Sequence, residues 1–417
     1  MTGAALAFVV PWFGEEVRGG AEMQGWETAR ELSRRGCRVE ILTTCSRSFQ
    51  HRWEENYHPP GVSEREGITV RRFLVDRRDE KRFDATNRAL LSGACASATL
   101  EEAFARESIN SSALYRFVGE QAERYLFVFT PYLYGTTLIG AAVRPDRSLL
   151  IPCLHDESYA YLGVTRRMFL GVRGSLFFTP EEAAVAWRAC GAEPPGRVTG
   201  GGIDTHLRGH AERFRQASGV RDPYLLYVGR LDRGKNTHVL MAYARERARR
   251  RGGAERLVLL GSGPLAIPHE DPVFVAAGVL DEQGKMDVCA GALALCQPSV
   301  NESFSRVIME SWLNEVPVLV HAGCAVTVGH CRRSGAGLWF RDFLEFSAIV
   351  DLLAGDPELR GRLGDAGRRY VLAECSWDAV CARIVQAIAE LTGERLSLHG
   401  QAGEQGASAA GVHAPTC

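Results

Sequence analysis

The chain has 417 residues, 46% of them hydrophobic and 24% charged, and a net charge of −1. Such a length exceeds one ordinary core and implies two domains of about 200 residues each. The charge balance leaves no cationic excess for a nucleic-acid backbone, and no apolar run reaches the length of a membrane-spanning helix.

The first apolar run, Ala4–Phe13, lacks a basic leader and a cleavage site, so it reads as a buried strand rather than a signal peptide. Short apolar runs predict strands at Leu6–Val10, Val39–Thr43, Thr69–Leu74, Leu126–Phe129, Leu149–Leu154 and Leu176–Phe178. A helix is predicted over Ala21–Arg35, stopped by Gly36. Another is predicted over Glu181–Cys190, opened by Thr179-Pro180 and closed by Gly191. The polar stretch His206–Asp222 carries no strand pattern, and the interdomain linker is expected near Gly219–Pro223. A second series follows: strand Tyr224–Val228, helix Thr237–Arg250, strand Leu257–Leu260, a helix from about Ser303 and strand Val316–Val320. The last periodic helix is Trp377–Leu391, with Ser376 as its N-cap. Beyond Glu394 the chain turns to Gly, Ala, Ser and Gln, a composition expected to stay disordered.

This alternation predicts an α/β protein of two tandem doubly wound, Rossmann-like domains facing an interdomain cleft. The expected divisions are 1–215, 216–376, a terminal helix over 377–392 packing back towards the first domain, and a tail over 393–417. Twelve scattered cysteines form no CxxC pair, which favours buried thiols in a reducing cytosol over a zinc or redox motif. His206 and His210 lie one helical turn apart but have no third ligand nearby in sequence, so a metal role is not expected.

The most informative segment is Pro298–Val320. The predicted helix places Glu302 at its mouth, where unpaired N–H groups and the positive dipole end suit a phosphate, and Glu310 about two turns in. Two carboxylates beside such a site can accept hydrogen bonds from two sets of sugar hydroxyls. Upstream, Arg230 leaves the carboxyl end of a strand and Lys235 precedes the next helix, so both can reach one point in the cleft. Paired cations there would stabilise the charge that develops on a departing diphosphate.

Pro298-Ser299, two residues, Glu302, then Glu310 and a proline-valine strand resemble the donor-site signature of retaining family-4 glycosyltransferases of the glycosyltransferase B fold. Gly229-Arg230-Leu231 with Lys235 resembles the same family's diphosphate motif. The resemblance implies that Glu302 and His155 contact the transferred sugar, Glu310 the ribose, and Arg230 with Lys235 the diphosphate. Ser303, Phe304, Ser305 and Gly263 would complete the donor site. Gly19, Gly20 and Glu22, after Arg18, resemble the family's loop facing the acceptor and the phosphates, although two glycines could equally form a turn with no ligand. Gly200–Asp204 resembles the turn at the family's domain junction.

No Asp-x-Asp triplet is present, so metal independence and no cofactor beyond the nucleotide-sugar donor are expected. The acceptor is a hydroxyl compound that the sequence does not identify. Glu315 stands where the family has a glycine, so the helix is expected to end without a left-handed glycine, at a cost of about 1 kcal/mol if Glu315 must take that conformation. Arg245, Arg247, Arg249, Arg250 and Arg251 could touch anionic lipid at an inner membrane face, or serve as a solvated helix end. An epimerase or phosphorylase of the same fold, or a non-catalytic carbohydrate-binding scaffold, are the rival readings.

Overall fold

The computed structural model describes residues 4–14, 19–92, 97–221, 223–252, 255–396 and 398. Arg18 and almost all of the expected tail lie outside the described residues.

Fourteen strands are described. In the first half they are β1 (Ala5–Val10), β2 (Val39–Thr44), β3 (Gly61–Arg65), β4 (Ile68–Phe73), β5 (Tyr125–Phe129), β6 (Ser148–Leu150), β7 (Gly174–Phe177) and β8 (Gly196–Val198). In the second half they are β9 (Tyr224–Val228), β10 (Arg256–Leu260), β11 (Phe274–Gly278), β12 (Ala294–Gln297), β13 (Val318–His321) and β14 (Gly337–Phe340). They form two sheets, ordered β3-β4-β2-β1-β5-β6-β7-β8 and β11-β10-β9-β12-β13-β14. Every pairing is parallel except β3 with β4. In each sheet the order reverses beside the first strand, which leaves a crevice at the carboxyl ends of the strands where such sheets bind ligands.

The central strands are buried throughout, as β1 and β5 show, which is why they read as continuous apolar runs. The edge strand β3 is largely exposed and carries no such run, and no strand was expected there. The stretch 206–221, read as polar and without a strand pattern, holds a helix over Ala211–Ser218, built around the single buried Phe214.

The helix Trp377–Thr392 crosses back to the first sheet. Arg35 pairs with Asp378 at 2.6 Å, Arg197 with Glu390 at 2.7 Å, and Arg383 donates to the Thr199 carbonyl at 2.8 Å. Trp377, Val380, Ile384 and Ile388 bury themselves in a core that is continuous from β1 to β13. Gly202 leaves room for the Trp377 ring, because a Cβ there would sit 2.2 Å from it.

Ten cysteines among the described residues are buried thiols. No helix among the described residues is long and apolar enough to cross a membrane. The arginine cluster is matched by acids within the protein. Arg245 pairs with Asp271, Arg247 with Glu255 and Asp351, Arg249 and Arg250 with Glu246, and Arg251 with Asp351.

Candidate active site

The predicted cations and acids arise from strand ends and the loops that follow them. Arg230 leaves β9 two residues past its end, and its backbone is fixed by Tyr227, whose hydroxyl donates to the Arg230 carbonyl at 2.7 Å. The loop then turns over Gly263: a Cβ there would lie 2.3 Å from the Leu231 carbonyl oxygen. Gly263 therefore supports the Arg230 loop by allowing close backbone approach. The Asp232 carboxylate accepts from the Lys235 backbone N–H at 2.8 Å and lies 3.2 Å from Arg230 Nε, so one acid organises both cations.

Lys235 reaches across to the loop after β12. Its Nζ lies 2.6 Å from Glu302 Oε1 and donates to the Asn301 carbonyl at 3.3 Å. This pair is largely shielded, with the lysine side chain 23% and the glutamate 12% exposed.

The helix after Glu302 begins later than expected. It spans Arg306–Leu313, with Ser305 as N-cap at φ +66°. A left-handed residue cannot continue a right-handed helix, so the first turn cannot extend back to Ser303. Glu302 thus lies in the loop rather than at the helix mouth, and Glu310 occupies the second turn. Ser303 and Phe304 meet the first domain: Thr179 donates its hydroxyl to the Ser303 carbonyl at 3.4 Å, and the Phe304 ring packs 5.8 Å from that of Phe178. The Phe304 side chain is therefore a domain contact. Past the helix, Glu315 does adopt the left-handed conformation, at φ +61°.

The first domain contributes the opposite wall. His155 follows β6 in a loop where Cys153 takes φ +53°. That loop is held by Glu182, fully buried, whose carboxylate accepts from the backbone N–H groups of Leu154 (2.7 Å) and Phe178 (2.6 Å). Burial pushes the Glu182 carboxyl up to about 8, opposed by those N–H groups. Burial likewise pushes the His155 imidazole below its usual value. Glu157 and Glu302 oppose that push, while Lys235 and Arg230 add to it, so His155 shares the electrostatic environment of the second-domain cluster. A neutral imidazole can donate or accept a hydrogen bond to a sugar hydroxyl.

Gly19 caps the helix Gly20–Arg34, and Glu22 in its first turn accepts from the Trp12 indole at 3.0 Å. Glu22 and Arg230 both act electrostatically on Tyr134. Asp156 faces elsewhere, bound to Arg188 and Tyr161.

Glu310 belongs to a second cluster. It is 5% exposed; Lys285 Nζ lies 2.8 Å and Arg306 Nη2 3.5 Å from Oε1. Burial alone would raise its pKa, but Lys285 and Arg306 overcome this and hold the carboxylate below the usual range. Arg306 also binds Glu27, on the first-domain helix Gly20–Arg34. Glu27, Lys285, Arg306, Glu182 and Tyr132, which donates to Glu157 at 2.8 Å, were not singled out from the sequence. The one available signal was Arg306, a charge at the start of the apolar run Val307–Met309.

No protein-family model matches the chain. It is 30% identical over 160 residues to an MMP alpha-(1->4)-mannosyltransferase of Mycolicibacterium hassiacum. That match takes in 36% of this chain and 38% of the relative, so it spans well under half of either protein. Solved structures align over nearly the whole length. A sucrose-phosphate synthase of Thermosynechococcus elongatus superposes with a TM-score of 0.68 at 17% identity, covering 94% of this chain and 99% of that one. Anabaena HepE in complex with UDP and glucose gives 0.66 at 14% identity, covering 92% and 98%. WaaG, a glycosyltransferase of lipopolysaccharide biosynthesis, gives 0.60 at 14% identity, covering 93% and 100%.

The fold is that of glycosyltransferase B. In this fold the strand-end loops of the second sheet pair Lys235 with Glu302, and both, with Arg230, act electrostatically on His155 of the first.

Proposed function

We propose that the protein is a retaining glycosyltransferase that moves a hexose or related sugar from a nucleoside diphosphate sugar to a hydroxyl acceptor, without a metal. What carries this reading is the convergence of Arg230, Lys235 and Glu302 from the second domain on His155 from the first. The partial match to a mannosyltransferase, and the UDP and glucose bound by the Anabaena neighbour, favour a nucleotide-sugar donor.

Arg230 and Lys235 would bind the diphosphate and stabilise the charge that grows on it as the glycosidic bond breaks. Glu302 and the His155 imidazole would orient the sugar hydroxyls, and Glu310 would accept from the ribose. The acceptor oxygen attacks the anomeric carbon on the face from which the diphosphate departs. Its proton passes to a departing phosphate oxygen, so no protein base is needed and configuration is kept. Domain closure would bring these groups into register. Two protein cations do the neutralising that a divalent ion would otherwise perform. The buried thiols fit a reducing, cytosolic setting.

The test is a thermal-shift panel of UDP, GDP, ADP, CDP and TDP, followed by nucleotide release from the matching donor with a range of hydroxyl acceptors. Release that depends on acceptor, with the anomeric configuration kept, supports the proposal. No shift with any nucleotide would overturn it.

A further inference from the structure

The charged cluster around Glu310 joins the two domains, and its geometry is unusual for a ligand carboxylate. Oε1 already faces Lys285 and Arg306, whereas Oε2 is buried with no hydrogen-bond partner among the described residues. Glu310 and Arg306 border a small crevice shared with Ile203, Asp204, Leu207 and Met286, which leaves little space beside the carboxylate. Arg306 is held from the other side by Glu27, and both side chains are largely shielded, 17% and 12% exposed. Burial pushes the Glu27 carboxyl up, against the pull of Arg306. A buried carboxylate of this kind is strongly committed to its cation, because losing the partner leaves an uncompensated charge.

We propose that Glu27 and Arg306 form an interdomain strut that fixes the Glu310 carboxylate, making them positioning residues for nucleotide binding although Glu27 sits in the opposite domain. This rests on the reading of Glu310 as the ribose acceptor. Arg306 is a five-donor planar fork that can hold Glu27 and Glu310 together. With Oε1 turned to the cations, Oε2 is the atom left to accept a ribose hydroxyl, which must enter the small crevice beside it. The first domain would then influence nucleotide affinity through this arginine without touching the nucleotide.

The experiment is calorimetric titration of the full chain with UDP, GDP, ADP and inorganic pyrophosphate, for wild type, Glu27→Gln, Arg306→Lys and the double variant. Melting temperatures check that each variant is folded. Both single variants should weaken the preferred nucleoside diphosphate about tenfold, while pyrophosphate, which has no ribose, keeps its wild-type affinity. The double variant should be no weaker than Arg306→Lys alone, because the two residues act as one unit. A folded Glu27→Gln with wild-type nucleotide affinity would overturn the strut alone, as would fully additive losses or an equal loss for pyrophosphate. A wild-type protein that binds none of the nucleotides would overturn the ribose role of Glu310, and the strut's effect with it.

Discussion

Lys235→Met is the most direct probe of the site, because in this structure the lysine is already engaged by the acid it should work beside. Its Nζ lies 2.6 Å from Glu302, and neither side chain is more than a quarter exposed. Removing the ammonium strips Glu302 of its only ion-pair partner among the described residues. Hydrogen bonds to charged groups contribute about 1.5–3 kcal/mol, and the water remaining around Lys235 places this one at the lower end. For a domain of this size that corresponds to a fall in melting temperature of roughly 3–6 °C. Replacing Glu302 as well, in Lys235→Met/Glu302→Gln, removes the stranded charge and should recover most of that fall. Nucleotide affinity should behave differently. A diphosphate must win Lys235 away from Glu302, so the cation's net worth to the ligand is about 1.4 kcal/mol, or tenfold in Kd. The double variant should stay weak, because the diphosphate still lacks its cation. Scanning fluorimetry gives the melting temperatures and titration with UDP and GDP gives the affinities. If Lys235→Met melts within about 1 °C of wild type and binds nucleotide equally well, the pair contributes nothing and the assigned role fails.

Arg230→Ala should chiefly slow turnover, by about 100-fold at saturating donor, since its charge matters most as the diphosphate departs; unchanged kcat in acceptor-dependent nucleotide release would count against this. Glu310→Ala should weaken nucleotide binding by about tenfold or more in the same titration, and equal binding would remove it from the ribose site. Gly263→Ala would place a methyl 2.3 Å from the Leu231 carbonyl, so the Arg230 loop must shift. A lower melting temperature with weaker nucleotide binding is expected, and a silent substitution would show that the loop is soft. Glu182 ionises near 4.5 when unfolded and about 8 when folded. Its contribution to stability is therefore present in full below about 4.5 and is lost as pH rises towards 8. Melting temperatures between pH 5 and pH 8 should fall less steeply for Glu182→Gln than for wild type, and parallel slopes would contradict the shift.

The legible part of this protein is what local sequence determines. Arg230, Lys235 and Glu302 sit at fixed offsets from strand ends, and a parallel sheet places neighbouring strand ends together, so their meeting follows once the strands are found. The start of the helix Arg306–Leu313 did not follow, because Ser305 turns left-handed beside Phe304, whose ring packs against Phe178 and His330, neither of them near in sequence. The Glu27–Arg306 contact joins residues 279 positions apart, and nothing in either neighbourhood signals the other. β3 escaped because a strand exposed along its length needs no apolar alternation.

The same contrast explains why the acids of the site each carry a cation from another element. Glu302 has Lys235, and Glu310 has Lys285 from another helix besides Arg306, one turn earlier on its own. A cleft built to receive a pyrophosphate must concentrate positive charge, and without ligand those cations would repel one another across a poorly solvated space. Placing a carboxylate against each removes that repulsion while the site is empty. On the proposed reading a diphosphate replaces Glu302 as partner to Lys235, and the released oxygen is left beside sugar hydroxyls that can donate to it, whereas Glu310 keeps its cations and offers its other oxygen. In that reading the Lys235–Glu302 ion pair gives way to a hydrogen-bond acceptor for the sugar, which needs acid and base on different elements able to separate by a small shift.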